Sequence, residues 1–207
     1  MEHLPKKIAT CITLIILAAA VPVFGQNGFS KAFSESYTYE AKKDYSKAIE
    51  SITNVYNADS YEINLRLGWL NYIAGKYKES LTYYQKAVKQ MPVSIEAKLG
   101  YAYPAYALGN VNEVISVYKE ILKLDPNNYY GNYRLGSIYY EKKDYLNSHK
   151  HFDKIINFYP FDYDAIIMSA WTYYHLGKLR EAKVLFNKAL LNKPDDSSAL
   201  EGLKLIK

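Results

Sequence analysis

Few side chains in this 207-residue sequence are of the kinds that perform chemistry. His149 and His151 stand two residues apart in a segment with helical periodicity, so they point in different directions and cannot share a metal ion. His175 has no second histidine one helical turn away, and Cys11 is the only cysteine. The glycine, serine and histidine motifs of hydrolases, metalloproteases and nucleotide-binding loops do not occur. The sequence therefore predicts no enzyme activity, no metal site and no cofactor.

Charged residues are scattered along the chain. Lysine and arginine exceed aspartate and glutamate by 5, and no run of five or six basic residues occurs. Nucleic-acid binding requires basic residues clustered on one face, so this class of partner is excluded. The pairs Asp162/Asp164 and Asp195/Asp196 stand where helices are expected to begin, and carboxylates there favourably meet the helix dipole. We interpret these charges as solvated surface.

The elements that position these side chains are helices in pairs. In residues 61–94, apolar residues recur three to four positions apart in two runs, which is typical of one helix face. Gly75 interrupts the first run and Pro92 ends the second, as expected at helix ends. The segment is predicted to form a helix–turn–helix whose single apolar face must be buried by a similar neighbour.

This unit recurs along the chain. Five copies begin near residues 29, 61, 95, 129 and 163, at offsets of 32, 34, 34 and 34 residues. Each first helix has a small residue where a neighbouring helix must approach closely, and four copies end in proline. The small residues are Ser36, Gly68, Ala102, Gly136 and Ala170, and the prolines are Pro92, Pro126, Pro160 and Pro194.

In period and in these residues the unit resembles the tetratricopeptide repeat. The residues that carry the resemblance are Leu67-Gly68 in the first helix, Gly75 and Tyr77 at the turn, and Tyr84, Ala87 and Pro92 in the second helix. The resemblance implies an all-α, right-handed α-solenoid of five repeats over residues 26–196. Residues 197–207 restart the first-helix pattern and then stop, so they are predicted to form a C-terminal capping helix.

The resemblance also implies where a partner would bind, because the first helices of tetratricopeptide arrays line a concave groove. The positions that match this inner face are rich in aromatic residues, which supply much of the binding energy at protein interfaces. The predicted groove residues are Phe33, Tyr37, Trp69, Tyr72, Tyr103, Tyr106, Tyr133, Tyr140, Trp171 and Tyr174. The lysines and asparagines with which some family members grip an acidic chaperone tail do not occupy these positions.

We therefore interpret the chain as a protein-interaction scaffold that binds a protein or peptide segment in an aromatic groove. Two alternatives stay open. In the first, the groove takes residues 26–36 of a neighbouring copy and the protein assembles into a homo-oligomer. In the second, the aromatic side chains stack on sugar rings and the protein binds carbohydrate.

The N-terminus predicts export. Lys6 and Lys7 precede an apolar run, and Val23-Phe24-Gly25 then offers small residues where a signal peptidase cleaves. We expect residues 1–25 to be a signal peptide and the mature protein to be periplasmic or extracellular, in a bacterial envelope. The alternative is an uncleaved membrane anchor, since about 17 apolar residues lie at the lower edge of a membrane span. Cleavage would remove Cys11 and leave a chain without cysteine, which tolerates an oxidising compartment.

Overall fold

The computed structural model describes residues 23–206. Within that range the chain forms eleven α-helices and no strand, so the predicted all-α fold is confirmed. The helices are α1 (Val23–Ala41), α2 (Tyr45–Thr53), α3 (Tyr61–Ile73), α4 (Tyr77–Gln90), α5 (Ile95–Ala107), α6 (Val111–Leu124), α7 (Tyr129–Glu141), α8 (Tyr145–Phe158), α9 (Tyr163–His175), α10 (Leu179–Asn192) and α11 (Ser197–Leu205).

The helices stack as a solenoid of pairs. Each helix packs against the next one along the chain, and the first helices of neighbouring pairs also meet, as α3 does with α5 and α9 with α7 and α11. The second to fifth pairs begin at the residues where the sequence predicts repeats, and α11 covers the end of the array by packing against α9 and α10. The predicted α-solenoid of helical repeats is therefore confirmed.

A capping residue begins each first helix after the first pair. The side chain before the helix accepts a hydrogen bond from the backbone N–H three positions later, which satisfies a donor that the helix itself leaves free. The capping residues are Ser60, Ser94, Asn128, Asp162 and Asp196. Asp162 and Asp196, seen in the sequence as halves of acidic pairs, thus have a structural role at helix starts.

The tight turn inside each pair requires a left-handed backbone. Gly75, Gly109 and Gly177 adopt φ values of 75°, 80° and 73°, which glycine reaches without a steric cost. Lys43 and Lys143 take the same place in the first and fourth pairs with φ of 60°. The shared turn geometry keeps all five pairs alike, although two of them use a residue that does not favour it.

One large side chain from a second helix fills the space beside the backbone of the first helices. Phe152 of α8 is fully buried, and a Cβ atom added at Gly136 of α7 would lie 2.9 Å from its Cζ atom. Tyr84 of α4 similarly packs against the backbone at both Gly68 and Gly100. Small residues at these positions therefore let the helices approach closely enough to bury the aromatic rings.

Tyrosine hydroxyls tie several neighbouring units together at the N-terminal ends of the first helices. The Tyr61 hydroxyl lies 2.8 Å from the Ser94 Oγ atom, and the Tyr163 hydroxyl donates to Asp196 over 2.5 Å. The Tyr129 hydroxyl donates to Asp162 over 3.2 Å. Burial and the bond to Asp196 raise the pKa of Tyr163 to about 12, so this hydroxyl stays a donor at neutral pH. Each tie joins one unit to the capping side chain of the next.

The predicted signal peptide lies almost wholly outside the described residues. Helix α1 begins at Val23 and includes the last residues of that segment and the expected cleavage point. No helix in residues 23–206 is long and apolar enough to span a bilayer.

We predict that Gly136→Ala and Gly28→Ala will change stability in opposite directions. The new methyl group at position 136 would press on the buried Phe152 ring, and overpacking of this kind costs about 1–3 kcal/mol. No atom lies within 4 Å of a Cβ built at Gly28, so alanine there should stabilise helix α1 by about 0.5–1 kcal/mol. Urea unfolding measures both values.

Hydrogen exchange on the Gly136→Ala protein tests whether the units behave as neighbours in a linear array. Exchange should rise first in α7 and α8, because each repeat contacts only the adjacent ones. An equal rise in all five units would contradict this model and indicate one indivisible core.

Candidate functional site

A large cavity lies along the first helices of the N-terminal half. It has a volume of about 1170 Å³ and is bordered by α1, α3, α5 and the start of α7. Four of the predicted groove residues line it, namely Phe33, Tyr37, Trp69 and Tyr103. The aliphatic side chains of Leu65, Ile95 and Leu99 lie between them. We call this surface the N-terminal groove.

A buried arginine organises one wall of the N-terminal groove. Arg66 is only 6% exposed; its Nε donates to the Ser36 Oγ over 2.8 Å, and its Nη1 lies 2.5 Å from a Glu40 carboxylate oxygen. The Tyr37 ring covers the guanidinium, with 3.8 Å between the guanidinium carbon and the ring centroid. The other Glu40 oxygen accepts a 2.7 Å hydrogen bond from the Trp69 indole. Glu40 therefore binds both Arg66 and Trp69. These contacts hold the exposed rings of Tyr37 and Trp69 in place.

The aromatic surface continues into a smaller cavity between α5 and α7. The ring centroids of Trp69 and Tyr72 lie 6.0 Å apart, and those of Tyr72 and Tyr103 lie 5.5 Å apart. Tyr72, Tyr103 and Tyr106 border this second cavity of about 160 Å³ together with Arg134. Six of the ten predicted residues thus lie around two neighbouring cavities.

The other four predicted residues lie outside both cavities. Tyr133 packs edge-on against Phe152 and joins the core around α8. Tyr140 contacts the ring of His175. Trp171 packs on Phe186, with ring centroids 5.0 Å apart, and Tyr174 packs on Trp171.

The two tryptophans therefore have different surroundings. The Trp171 indole donates a 2.7 Å hydrogen bond to Ser198 of α11, and its ring packs against the core cluster of α9, α10 and α11. Trp69 instead lines the N-terminal groove and is 38% exposed. Only Trp69 stands where a ligand in that groove could contact it.

Several residues of the N-terminal groove were not predicted from the sequence, because they lie outside the inner-face positions of the first helices. Tyr84 belongs to the second helix α4 but borders the N-terminal groove, because its ring passes between the backbones at Gly68 and Gly100. Glu62, Glu96 and Tyr130 stand in the first turns of α3, α5 and α7 and line the same groove. A signal existed for Tyr84, since the equivalent positions 152 and 186 hold phenylalanine.

The histidines have local structural partners. His149 Nδ1 lies 3.1 Å from a carboxylate oxygen of Asp153, and His151 Nδ1 lies 3.0 Å from the side-chain oxygen of Asn132. The His175 ring stacks on Tyr145, with centroids 4.5 Å apart. In the part of the chain that the structure describes, no group of three or more histidine, cysteine, aspartate or glutamate side chains could hold a metal ion.

Two sequence profiles of one family match the chain. Both carry the description tetratricopeptide repeat, and they match residues 35–95 and 163–196. A curated human (Homo sapiens) relative, tetratricopeptide repeat protein 13, is 28% identical over 96 residues, which is 46% of this chain and 11% of that protein. The match thus spans about a tenth of the human protein's length.

Solved structures share the fold. A tetratricopeptide repeat protein from Parabacteroides merdae ATCC 43184 superposes with a TM-score of 0.75 at 23% identity, over 87% of this chain and 72% of that chain. A crystal structure of MamA gives a TM-score of 0.71 at 20% identity, over 82% and 93% of the two chains. MamA from Desulfovibrio magneticus RS-1 gives 0.66 at 18% identity, over 70% and 82%. At these identities the likeness establishes the fold alone.

We predict that the two tryptophans will differ in their effect on stability. Trp171→Ala should cost about 3 kcal/mol, because it removes packing against Phe186 and the core of the last unit. Trp69→Ala should cost only about 1 kcal/mol, mainly through the lost hydrogen bond to Glu40. Urea unfolding followed by circular dichroism compares them, and equal losses would contradict the different environments assigned to the two rings.

We also predict a pH dependence that originates at His151. Burial, followed by the nearby charges of Lys154, Lys119 and Lys150, lowers the pKa of His151 to about 4. The unfolded chain has a histidine pKa near 6.5, so it binds the proton more strongly than the fold does. This contribution to stability is complete above about pH 6.5 and is lost as the pH falls towards 4.

The variant His151→Gln isolates this effect from the titration of carboxylates. Its free energy of unfolding should fall less between pH 7 and pH 4.5 than that of the wild-type protein, because glutamine has no proton to bind. Parallel pH profiles for the two proteins would show that His151 is not the group responsible.

Proposed function

Because the chain is a tetratricopeptide repeat protein, we propose that it is an exported scaffold whose N-terminal groove holds a segment of a partner protein. Tetratricopeptide repeat proteins bind protein partners. The observation that carries the proposal is the continuous aromatic surface formed by Tyr37, Trp69, Tyr72 and Tyr103.

The exposure of these rings favours a binding role. Tyr37 is 57% exposed and Tyr106 is 47% exposed, although both belong to an otherwise well-packed array. Large aromatic side chains left open to solvent in a concave surface are typical of interaction sites. The aliphatic floor of the groove, which includes Leu65 and Leu99, extends the apolar area available to a ligand.

Contacts within the protein also hold several groove side chains in place. The salt bridge of Arg66 with Glu40 and the indole bond of Trp69 to Glu40 restrict the side chains that a ligand would contact. A ligand therefore does not have to order them, and less of its interaction energy is lost to conformational entropy. This arrangement supports recognition of one preferred segment.

Export is proposed from the N-terminal sequence. A basic start, an apolar run and small residues before Gln26 match the organisation of a secretory signal peptide. The mature scaffold would then work in the periplasm or outside the cell. Mass spectrometry of the protein from its native host should find Gln26 at or next to the N-terminus, whereas an intact Met1 in the membrane fraction would support an anchor.

Site-specific photo-cross-linking tests the groove. We expect a photoreactive phenylalanine derivative at position 37 to capture a discrete partner peptide in the native envelope. The same residue at position 146 of α8 serves as the control, because Leu146 is 58% exposed and lies outside the groove. Partner identity follows from mass spectrometry of the cross-linked peptides.

The variant Trp69→Ala should weaken binding of the identified partner by about 2 kcal/mol, or roughly thirtyfold, if Trp69 is a principal contact. Equal capture at positions 37 and 146, or an affinity that does not change in the Trp69→Ala protein, would refute binding in this groove.

A further inference from the structure

The N-terminal groove has a charge opposite to that of the chain. Its lining contains the carboxylates of Glu40, Glu62 and Glu96 and one cation, Arg66, a formal net charge of −2. The whole sequence carries a net charge of +5. A groove of one charge sign attracts ligands of the other sign more than the rest of the surface does.

The single cation of the groove is already neutralised. Arg66 forms its salt bridge with Glu40 and is covered by Tyr37, so the two charges balance each other, while the Arg66 Nη2 atom is buried without a hydrogen-bond partner among the described residues. Glu62 and Glu96 take part in none of the salt bridges found in residues 23–206. Both are exposed on the groove, so the unbalanced negative charge belongs to them.

The hydrogen bonds of these two carboxylates leave acceptor capacity. Glu62 accepts a 2.9 Å bond from the Ser60 hydroxyl, and Glu96 accepts a 3.3 Å bond from the Tyr61 hydroxyl. An ionised carboxylate has about four acceptor sites. Each can therefore receive further bonds from an ammonium or guanidinium group.

Aromatic rings line the same cavity as the carboxylates. Trp69, Tyr103 and Tyr130 border the N-terminal groove, and Tyr130 is 56% exposed. The face of an aromatic ring attracts a cation within about 6 Å of its centroid. Carboxylates beside such faces form a site whose chemistry suits lysine or arginine side chains.

The Tyr84 hydroxyl supplies a donor for the backbone of a ligand. Tyr84 is only 3% exposed, and its side chain borders the groove. Burial raises its pKa, so the hydroxyl stays protonated. A tyrosine hydroxyl that borders the groove can donate a hydrogen bond to a peptide carbonyl there.

We propose that the partner segment is a basic, partly apolar peptide. It lies along the groove with a lysine or arginine side chain between the carboxylates of Glu62 and Glu96 and the neighbouring aromatic faces. A backbone carbonyl of the peptide accepts from the Tyr84 hydroxyl, and its apolar side chains cover the aliphatic floor. This inference rests on the proposed function and adds the chemistry of the partner to it.

A matched control exists for the two glutamates. Both stand in the first turn of a helix, where a carboxylate also stabilises the helix dipole. Asp164 occupies the equivalent position in α9, is exposed, and lies outside the groove. The change Asp164→Asn therefore removes the same helix-end charge without touching the proposed site.

The experiment selects ligands from a random twelve-residue peptide library displayed on phage, using the full chain as bait. We expect the selected peptides to be enriched in lysine or arginine beside apolar residues. Their affinity should fall about tenfold in the double variant Glu62→Gln/Glu96→Gln and stay unchanged in Asp164→Asn. It should also fall as the salt concentration rises, because exposed charges are screened.

The other outcomes are decisive as well. Selected peptides that are neutral or acidic, yet lose affinity in the Trp69→Ala protein, would overturn the charge inference and leave the groove function standing. If no selected peptide depends on Trp69, groove binding itself fails. Self-association that is detected by light scattering and abolished by Trp69→Ala would identify a second copy as the occupant, and would overturn the basic-peptide proposal. Thermal unfolding of each variant confirms that it is folded.

Discussion

The structure depends on the close contact between one large side chain of a second helix and the bare backbone of the first helices. Tyr84 packs against Gly68 and Gly100, and Phe186 packs against Gly202 of the last helix. A Cβ atom at any of these glycines would overlap the ring. The ring therefore contacts the glycine backbone directly, and this contact sets the distance between neighbouring first helices. The groove follows from this spacing, because it lies between the first helices that these rings hold in position.

The backbone of the array is periodic, but its surface is not. At the N-terminal end, the inner positions leave an open groove with Trp69 exposed. Towards the C-terminal end, the equivalent side chains contact other residues: the His175 ring stacks on Tyr145, and Trp171 packs on Phe186 and donates to Ser198. One helical framework therefore has an open groove at one end and a cluster of aromatic contacts at the other.

Much of the fold could be predicted from the sequence, because the same pattern of helix and turn residues occurs several times along the chain. The 34-residue period placed helix starts at Tyr61, Ile95 and Tyr129, and a single unfavourable residue such as Lys143 at a turn did not obscure the pattern. The groove was predicted less completely. Trp69 and Trp171 occupy the same register position, yet α11 covers only the second of them, because the array ends there.

Other features of the site depend on side-chain contacts between units and have no periodic signal. The bonds of Glu40 to Arg66 and Trp69 join α1 to α3 through side-chain conformations that the repeat pattern does not specify. Tyr84 reaches the groove from a second helix because Gly100 has no side chain to block it. The sequence indicates on which face of a helix a residue lies. To predict a contact between two units, the distances between their helices must also be known.

The hydrogen bonds that tyrosine hydroxyls form between neighbouring units are arranged differently at the joint between the third and fourth units. Tyr61 ties the second unit to the third and Tyr129 ties the fourth to the fifth, but Ile95 has no hydroxyl with which to reach Asn128. That joint is instead linked at the opposite helix ends, where the Tyr106 hydroxyl donates to Glu141. At this joint the buried side chains Leu135 and Ile138 of α7 share one core cluster with Tyr101 and Tyr118 of the third unit, so apolar packing takes the place of the missing hydroxyl bond.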